Sequence, residues 1–322
     1  MELRINLFGN VGLFRADRRL PDFPTAKSKA LFCFLVLNRR RLYPRDVLMG
    51  VLWGDKPNAV ARKNLRTDIW RIRRILEPRD VARGTYLIAN KDTVGFNSGT
   101  EYWLDVEDFE RSIEKYESRA PGQLTALESE ELRRAVALYR GDLLEDVYDD
   151  WCLIEQERLK ARLLITLEKL MRYHAARSEW SSALLYGRRV LRYDPLREHI
   201  HRDVMRYQYF QGNRPAALSQ FRECARLLAG EMGIEPMKET VALREAIEAE
   251  SLRPDASDGG NGVEGRPAAP VERGGVVPVI LEIRCALRDF QMASARLLAG
   301  LRKVQDSQPA ATSAMSESRD DS

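Results

Sequence analysis

The side chains best suited to chemistry in this sequence are cations crowded into one short segment. Between Ala61 and Leu76, six of the sixteen residues are lysine or arginine, and the only acid is Asp68. Lysine and arginine donate hydrogen bonds to guanine O6 and N7 and to phosphate oxygens, and a threonine methyl group suits contact with thymine. The segment therefore has the residue types of a surface that binds a nucleic acid.

The same segment has the periodicity of an amphipathic helix. Leu65, Ile69, Ile72 and Leu76 follow an i, i+4, i+7, i+11 spacing and fall within about 40° of one side of a helical wheel, which predicts a buried stripe. The rest of the helix is basic, and such a helix fits the DNA major groove with its amino-terminal half nearest the bases. We expect base contacts from Lys63, Arg66, Thr67 and Trp70, and phosphate contacts from Arg71, Arg73 and Arg74.

Two alternatives stay open for this helix. A basic face is also common on solvated surface helices. However, this helix is the third of a compact set and is followed by a hairpin, which favours DNA contact. The large aromatic Trp70 suits a DNA contact, and it equally suits packing on a wing or on a partner subunit.

The elements around the helix predict a winged helix-turn-helix over residues 1–98. Alternating apolar residues predict a hairpin at the amino terminus, Thr25 is placed to cap a first helix, and Pro44 precedes a second. After the basic helix, residues 86–97 predict two short strands around a turn that carries Lys91 at its tip. Lys91 is expected to reach the minor groove or a phosphate, but a lone turn lysine is also common without any ligand.

Charge is divided unevenly along the chain. Residues 1–98 contain 20 lysines and arginines against nine acids, a net charge of +11, whereas residues 99–322 carry 32 basic and 39 acidic residues, a net charge of −7. A cationic unit attracts polyanions, so the amino-terminal unit is the expected DNA-binding part.

Beyond Leu104 the sequence predicts helices that repeat every 34 residues. Ala183-Leu184 matches Ala217-Leu218, and Tyr173 matches Tyr207, at the period of tetratricopeptide-like (TPR-like) helix pairs. The expected fold is mainly α, with the winged helix-turn-helix followed by a TPR-like domain over residues 102–250. A flexible linker over 251–277, an amphipathic helix over 278–305 and a disordered tail over 306–322 complete the expected order.

The predicted carboxyl-terminal helix has a heptad seam with two possible partners. One set of positions recurs at seven-residue intervals and a second set does so three residues later, which is typical of a coiled coil: Ile280, Leu287, Ser294 and Leu301, and Ile283, Phe290, Leu297 and Val304. The seam would join two subunits into a homodimer, or it would dock on the helical repeats of its own chain.

Several function classes are not expected. Paired carboxylates such as Glu155 and Glu157 lie amid helix-surface charge without an accompanying histidine, cysteine or glycine-rich loop, so we predict no enzyme and no cofactor. The four cysteines are at least sixty residues apart, and no metal site is predicted. No signal peptide or apolar membrane span is recognised, so a cytoplasmic protein without a membrane partner is expected.

The sequence resembles the bacterial antibiotic-regulatory-protein (SARP) family of activators. In the amino-terminal part the resemblance rests on Lys27 to Leu37, on Leu52-Trp53-Gly54-Asp55 and on Ala61 to Leu76. In the helical part it rests on Tyr139 to Leu144, Trp151 to Arg158, Asp194 to Glu198, Gly212 to Leu218 and Gly233 to Pro236.

The resemblance covers about residues 1–250 and implies a function. It implies an amino-terminal domain similar to response-regulator output domains, a bacterial transcriptional activator domain, and activation of transcription through promoter direct repeats and RNA polymerase recruitment. The wing segment Tyr86-Leu87-Ile88-Ala89 departs from the family pattern, and the reading helix carries Lys63, Asn64 and Trp70, so neither wing contacts nor target sequence are carried over. Repression stays open, and so does the alternative of a helical-repeat scaffold with a nonspecific basic domain.

Overall fold

The computed structural model describes residues 2–253, which form two compact units. The described part of the first unit is residues 2–104 and 143–156, and that of the second is 105–142 and 157–253. Nearly all of the predicted linker 251–277, together with the predicted helix 278–305, its heptad seam and the tail 306–322, lies outside the described residues.

The first unit consists of short strands around three helices. In chain order they are β1 (Leu3–Asn6), β2 (Gly12–Arg15), β3 (Arg18–Arg19), α1 (Ala26–Leu37), β4 (Tyr43–Pro44), α2 (Arg45–Trp53), α3 (Asn58–Leu76), β5 (Leu87–Ala89), β6 (Thr93–Phe96) and β7 (Tyr102–Leu104). One sheet has the order β3-β2-β1-β7 and the other has the order β4-β6-β5. The predicted order of hairpin, three helices and hairpin is confirmed.

Local signals explain where the helices begin. Thr25 caps α1 as predicted, since its hydroxyl accepts a hydrogen bond from the Ser28 amide and Ser28 reciprocates in a capping box. Helix α2 begins directly after Pro44, as expected. The three helices bury a shared core whose largest members include Phe32, Leu48, Leu65, Ile72 and Phe96.

The division into units differs from the predicted ranges 1–98 and 102–250 at two places. Strand β7 belongs to the first unit because it pairs in parallel with β1, with Ile5 opposite Leu104. Residues 143–156, which we call the acidic segment, also group with the first unit. This segment contains Glu145, Asp146, Asp149, Asp150 and Glu155 and no basic residue.

The acidic segment is held in the first unit by backbone, aromatic and ionic contacts. The Leu144 amide donates to the Leu7 carbonyl at 3.0 Å, and the ring of Trp151 meets Phe34 edge-on with 5.4 Å between centroids. Asp149 accepts from the Lys27 ammonium at 2.8 Å, and Asp146 pairs with Lys29. The first unit is therefore discontinuous in sequence.

The second unit is helical. Its helices are α4 (Asp105–Lys115), α5 (Ala126–Leu138), α6 (Asp150–Ala175, from Glu157 onward), α7 (Trp180–Tyr193), α8 (Glu198–Phe210), α9 (Arg214–Met232) and α10 (Lys238–Glu248), with a 3-10 turn at Pro121–Gln123. Together with the first unit, this confirms a mainly α fold in which a winged helix-turn-helix precedes a helical-repeat domain.

The 34-residue period corresponds to two helix pairs with the same turn. Ser178 between α6 and α7 and Gly212 between α8 and α9 both have left-handed backbone, with φ of 57° and 83°. The amide after each turn residue donates to an equivalent carbonyl, from Glu179 to His174 and from Asn213 to Gln208. The matched alanines and tyrosines of the period are all buried.

The structure also bears on the cysteines, on metal binding and on membrane-spanning helices. Cys33, Cys152 and Cys224 are buried thiols, and burial raises the pKa of Cys152 to about 12. Within residues 2–253 there is no cluster of three or more histidine, cysteine, aspartate or glutamate side chains arranged to hold a metal ion. In the same range, no helix combines the length and apolarity needed to cross a membrane.

Candidate nucleic-acid interface

Helix α3 separates an apolar stripe from a basic face. Leu65, Ile69, Ile72 and Leu76 are buried, as the wheel predicts, and Ala61 extends the stripe by one turn. The helix begins at Asn58, three residues before the basic segment that starts at Ala61. Burial of this stripe fixes the rotation of α3, and the rotation determines which cations face solvent.

The exposed face of α3 consists of Arg62, Lys63, Arg66, Trp70 and Arg74, all of which are exposed to solvent. Arg62, Lys63 and Arg66 have no hydrogen-bond or ion-pair partner for their side chains within residues 2–253. Trp70 is 53% exposed, and the Arg74 guanidinium lies 4.9 Å from its ring centroid. Unpaired surface cations are available to neutralise phosphates or to donate to bases.

Thr67 occupies the middle of this face but is only partly exposed. Its hydroxyl donates to the Lys63 carbonyl one turn earlier at 3.0 Å, which leaves the methyl group and the oxygen lone pairs for another contact.

Two cations for which we predicted phosphate contacts are instead bonded within the unit. Arg71 donates to the buried carboxylate of Asp68 at 2.9 Å, and the Thr25 hydroxyl donates to the same carboxylate oxygen at 3.4 Å. Asp68 thus ties α3 to the start of α1. The wheel placed Arg71 beside the stripe but could not show that a buried acid would bind it.

Arg73 and Glu77 join the end of α3 to the wing hairpin, which is β5, β6 and the turn 90–92. Glu77 Oε1 accepts the amides of Tyr86 and Leu87 at 2.9 and 2.8 Å. Its other carboxylate oxygen lies 3.6 Å from Arg73 Nε, and Arg73 Nη2 donates to the carbonyls of Leu87 and Ala89 at 3.4 and 3.5 Å. The base of the wing hairpin is therefore bonded to the last turn of α3.

Lys91 lies at the tip of the wing hairpin and is exposed. The turn that carries it is bonded to α2 through Arg45, whose Nε and Nη2 both donate to the Asn90 carbonyl at 3.1 and 2.8 Å. Partial burial lowers the pKa of the Arg45 guanidinium, and the nearby cations of Arg66 and Arg73 lower it further. Cations from α2, α3 and the wing hairpin thus converge on one side of the unit.

Sequence reasoning missed Arg62 and Arg45. Arg62 lies only about 60° from Leu65 on an ideal wheel of 100° per residue, and yet it is exposed. Arg45 gave no signal, because its partner Asn90 is 45 residues away.

The arrangement presents a helix about 10–12 Å wide, with unpaired cations on its outer face, beside a cationic hairpin tip. A helix of this width enters the major groove, and a neighbouring hairpin is able to reach the adjacent backbone or minor groove.

Comparisons with known proteins identify the family of the chain. Residues 104–248 match the family of the bacterial transcriptional activator domain. The regulatory protein DnrI of Streptomyces peucetius is 30% identical over 254 residues, which cover 76% of this chain and 90% of DnrI. This chain belongs to the SARP family of transcriptional regulators.

Other SARP-like relatives differ in length. The regulatory protein AfsR of Streptomyces coelicolor is 27% identical over 244 residues, which are 74% of this chain but 24% of AfsR, so the chain spans about a quarter of that relative. The structure of Mycobacterium tuberculosis EmbR in complex with a low-affinity phosphopeptide superposes with a TM-score of 0.64 at 22% identity, covering 79% of this chain and 67% of that chain. The likeness to EmbR supports the fold assignment. Membership of the SARP family identifies this chain as a DNA-binding transcription regulator.

Proposed function

We propose that this SARP-family protein activates transcription by binding direct repeats in promoter DNA and helping to recruit RNA polymerase. The observation that carries the proposal is the row of unpaired cations on the exposed face of α3, beside the tip of the wing hairpin. Membership of a family of transcriptional regulators supports it. A regulator of this kind acts where the chromosome is, which places the protein in the cytoplasm.

Base contacts and phosphate contacts are assigned to residues by their position on this surface. Lys63, Arg66, Thr67 and Trp70 contact bases, because they lie in the amino-terminal and central part of the exposed face. Phosphate contacts come from further residues of the same side, namely Arg62, Arg74 and Lys91. Arg71 and Arg73 act first as positioning residues, since both bind carboxylates within the unit.

Selective binding is the first test. Genomic footprinting with the full chain should find discrete sites, and a fragment carrying such a site should bind roughly 10³-fold more tightly than its scrambled version at the same salt. Footprints over paired repeats of one orientation are expected, and inverting one repeat should weaken binding. Equal retention of scrambled DNA would instead support a scaffold with a nonspecific basic domain.

Arg66→Ala tests the assignment of base contacts. It should weaken specific binding by about 1–3 kcal/mol and relax the preference at one base position, while leaving binding to random DNA nearly unchanged. Lys91→Ala is the matched comparison and should weaken both DNAs alike. If Arg66→Ala also reduced both affinities equally, Arg66 would be a phosphate contact.

Transcription in vitro tests the direction of regulation. Adding the protein to a template with its footprinted site should raise transcript yield and retain more RNA polymerase on the promoter. A fall in transcript at the same occupancy would show repression and would contradict the activator proposal.

A further inference from the structure

The turn of the wing hairpin is shaped by Asn90. Its side-chain oxygen accepts the amides of Asp92 and Thr93 at 3.1 and 2.7 Å and the Thr93 hydroxyl at 3.0 Å. The Asn90 amide donates to the Thr93 carbonyl at 3.1 Å. These bonds fix the local form of the turn, but none of them determines where the turn lies relative to α3.

At the tip of the hairpin, a residue at the start of α2 contributes to that placement. The Arg45 guanidinium donates twice to the Asn90 carbonyl, at 3.1 and 2.8 Å, and the Arg45 amide donates to the Asp92 carbonyl at 3.0 Å. Arg45 therefore binds the backbone on both sides of Lys91. Strand β4, which ends just before Arg45, pairs with β6, with Tyr43 opposite Val94, so the start of α2 is itself held against the hairpin.

The surroundings of Arg45 relate this contact to the exposed face of α3. The charged groups close enough to affect the Arg45 guanidinium are Arg66, Arg73 and Asp92. Two of them belong to α3 and one belongs to the turn, so Arg45 lies between the helix and the hairpin tip.

We propose that Arg45 is a positioning residue for DNA binding, which holds the turn 90–92 so that Lys91 meets DNA together with Arg66. This inference rests on the proposed function and names a residue through which the wing hairpin acts. A hairpin tip without this contact would have to be ordered when DNA binds, and ordering a segment on binding reduces affinity.

Arg45→Lys separates positioning from direct contact. Lysine keeps the positive charge that a phosphate contact needs, but it lacks the planar fork that donates from two nitrogens to one carbonyl. Specific DNA binding by Arg45→Lys should weaken about fivefold, by an order-of-magnitude estimate, with an unchanged salt dependence. Arg18→Lys is the matched control, because Arg18 is exposed on β3 in the same unit, away from the wing hairpin.

A double-mutant cycle with Lys91→Ala tests whether Arg45 acts through Lys91. In the native background, Lys91→Ala should weaken binding about fivefold, whereas in the Arg45→Lys background it should cost less than about twofold, because Lys91 is already misplaced. Additive losses would show that the two cations bind DNA independently and would overturn the positioning role.

Hydrogen exchange without DNA gives a readout that does not depend on the proposed function. In Arg45→Lys and in Arg45→Gln, the backbone amide of residue 45, which donates to the Asp92 carbonyl, should exchange several-fold faster than in the native chain, while the strand β1 amides stay unchanged. A native exchange rate at this amide in both variants would show that the Arg45 side chain does not hold the turn. Faster exchange in a chain that binds no DNA selectively would keep the structural role and reject the proposed function.

Discussion

Arginine is abundant in both units, but its side chains are used in opposite ways. On the exposed face of α3, Arg62 and Arg66 have no carboxylate partner within the described residues. In the second unit, the single side chain of Arg162 contacts two acids, Glu110 at 3.2 Å and Glu114 at 3.0 Å. The same residue type is thus left free where a polyanion is expected and is neutralised where helices pack together.

The pairing in the second unit extends well beyond Arg162. Arg158 contacts Glu110 at 2.5 Å, Arg197 binds Asp194 at 2.8 Å as well as Glu168, and Arg226 binds Glu223 at 2.7 Å. Counting basic residues therefore does not identify a DNA-binding surface. The relevant quantity is how many cations on one face lack an acid.

The largest expected effect is on stability and concerns Glu77, an acid that neutralises an arginine in the first unit. Glu77→Ala would leave the Tyr86 and Leu87 amides without their acceptor and Arg73 without its carboxylate, inside the protein. Each buried amide left without an acceptor costs about 1–3 kcal/mol, so the first unit should be strongly destabilised. Scanning calorimetry, together with hydrogen exchange of β5, measures this.

The control for Glu77→Ala is Glu2→Ala, which removes an exposed carboxylate and should change stability by less than about 0.5 kcal/mol. Equal stability of the two variants would mean that the wing hairpin does not depend on Glu77.

The next effect concerns DNA affinity. Arg62→Gln should weaken binding by about 1 kcal/mol and reduce the slope of log affinity against log salt by about one, as expected for one lost phosphate contact. Arg162→Gln removes the same charge from a paired site and should leave both quantities unchanged. Equal losses from the two variants, measured by salt titration of a footprinted fragment, would show that net charge alone determines binding.

Arg162→Gln should instead affect stability. Its guanidinium bridges α4 and α6, and the side chain is 16% exposed, so the loss should reach about 1 kcal/mol, at the upper end for surface ion pairs. Urea unfolding of the full chain, followed by helical circular dichroism, measures the change. Arg62→Gln is the reciprocal control, and a stability loss there would contradict its lack of a partner.

The sequence predicted the features of this site that depend on neighbouring turns of one helix, and it missed those that depend on burial or on distant residues. Helical periodicity located the stripe of α3, because Leu65 and Ile69 are one turn apart. The ion pairs of Arg71 and Arg73 were missed, because they depend on the burial of Asp68 on α3 and of Glu77 directly after it. The placement of the acidic segment was also missed, because no periodicity links Trp151 to Phe34.

The smallest effect tests the equivalence of the two helix pairs. Ser178 has a left-handed backbone that glycine adopts freely at the equivalent Gly212, and no atom lies within 4 Å of a Cβ built at Gly212. Ser178→Gly should stabilise the second unit by about 0.5 kcal/mol, because relief of strain is partly offset by a more flexible unfolded chain. Thermal unfolding measures it, and Gly212→Ser should shift stability the opposite way. Changes of the same sign would mean that the two turns are not equivalent.

The acidic segment has a consequence for the order of events during synthesis. The ribosome delivers β1, α1 and α3 long before Leu144 and Trp151, which bind Leu7 and pack on Phe34. The first unit is therefore complete only after residues up to Gln156 have been synthesised. A message truncated at codon 104 encodes a first unit that lacks the acidic segment. Grafting the DNA-binding part onto another protein likewise requires both pieces of the chain to be carried together.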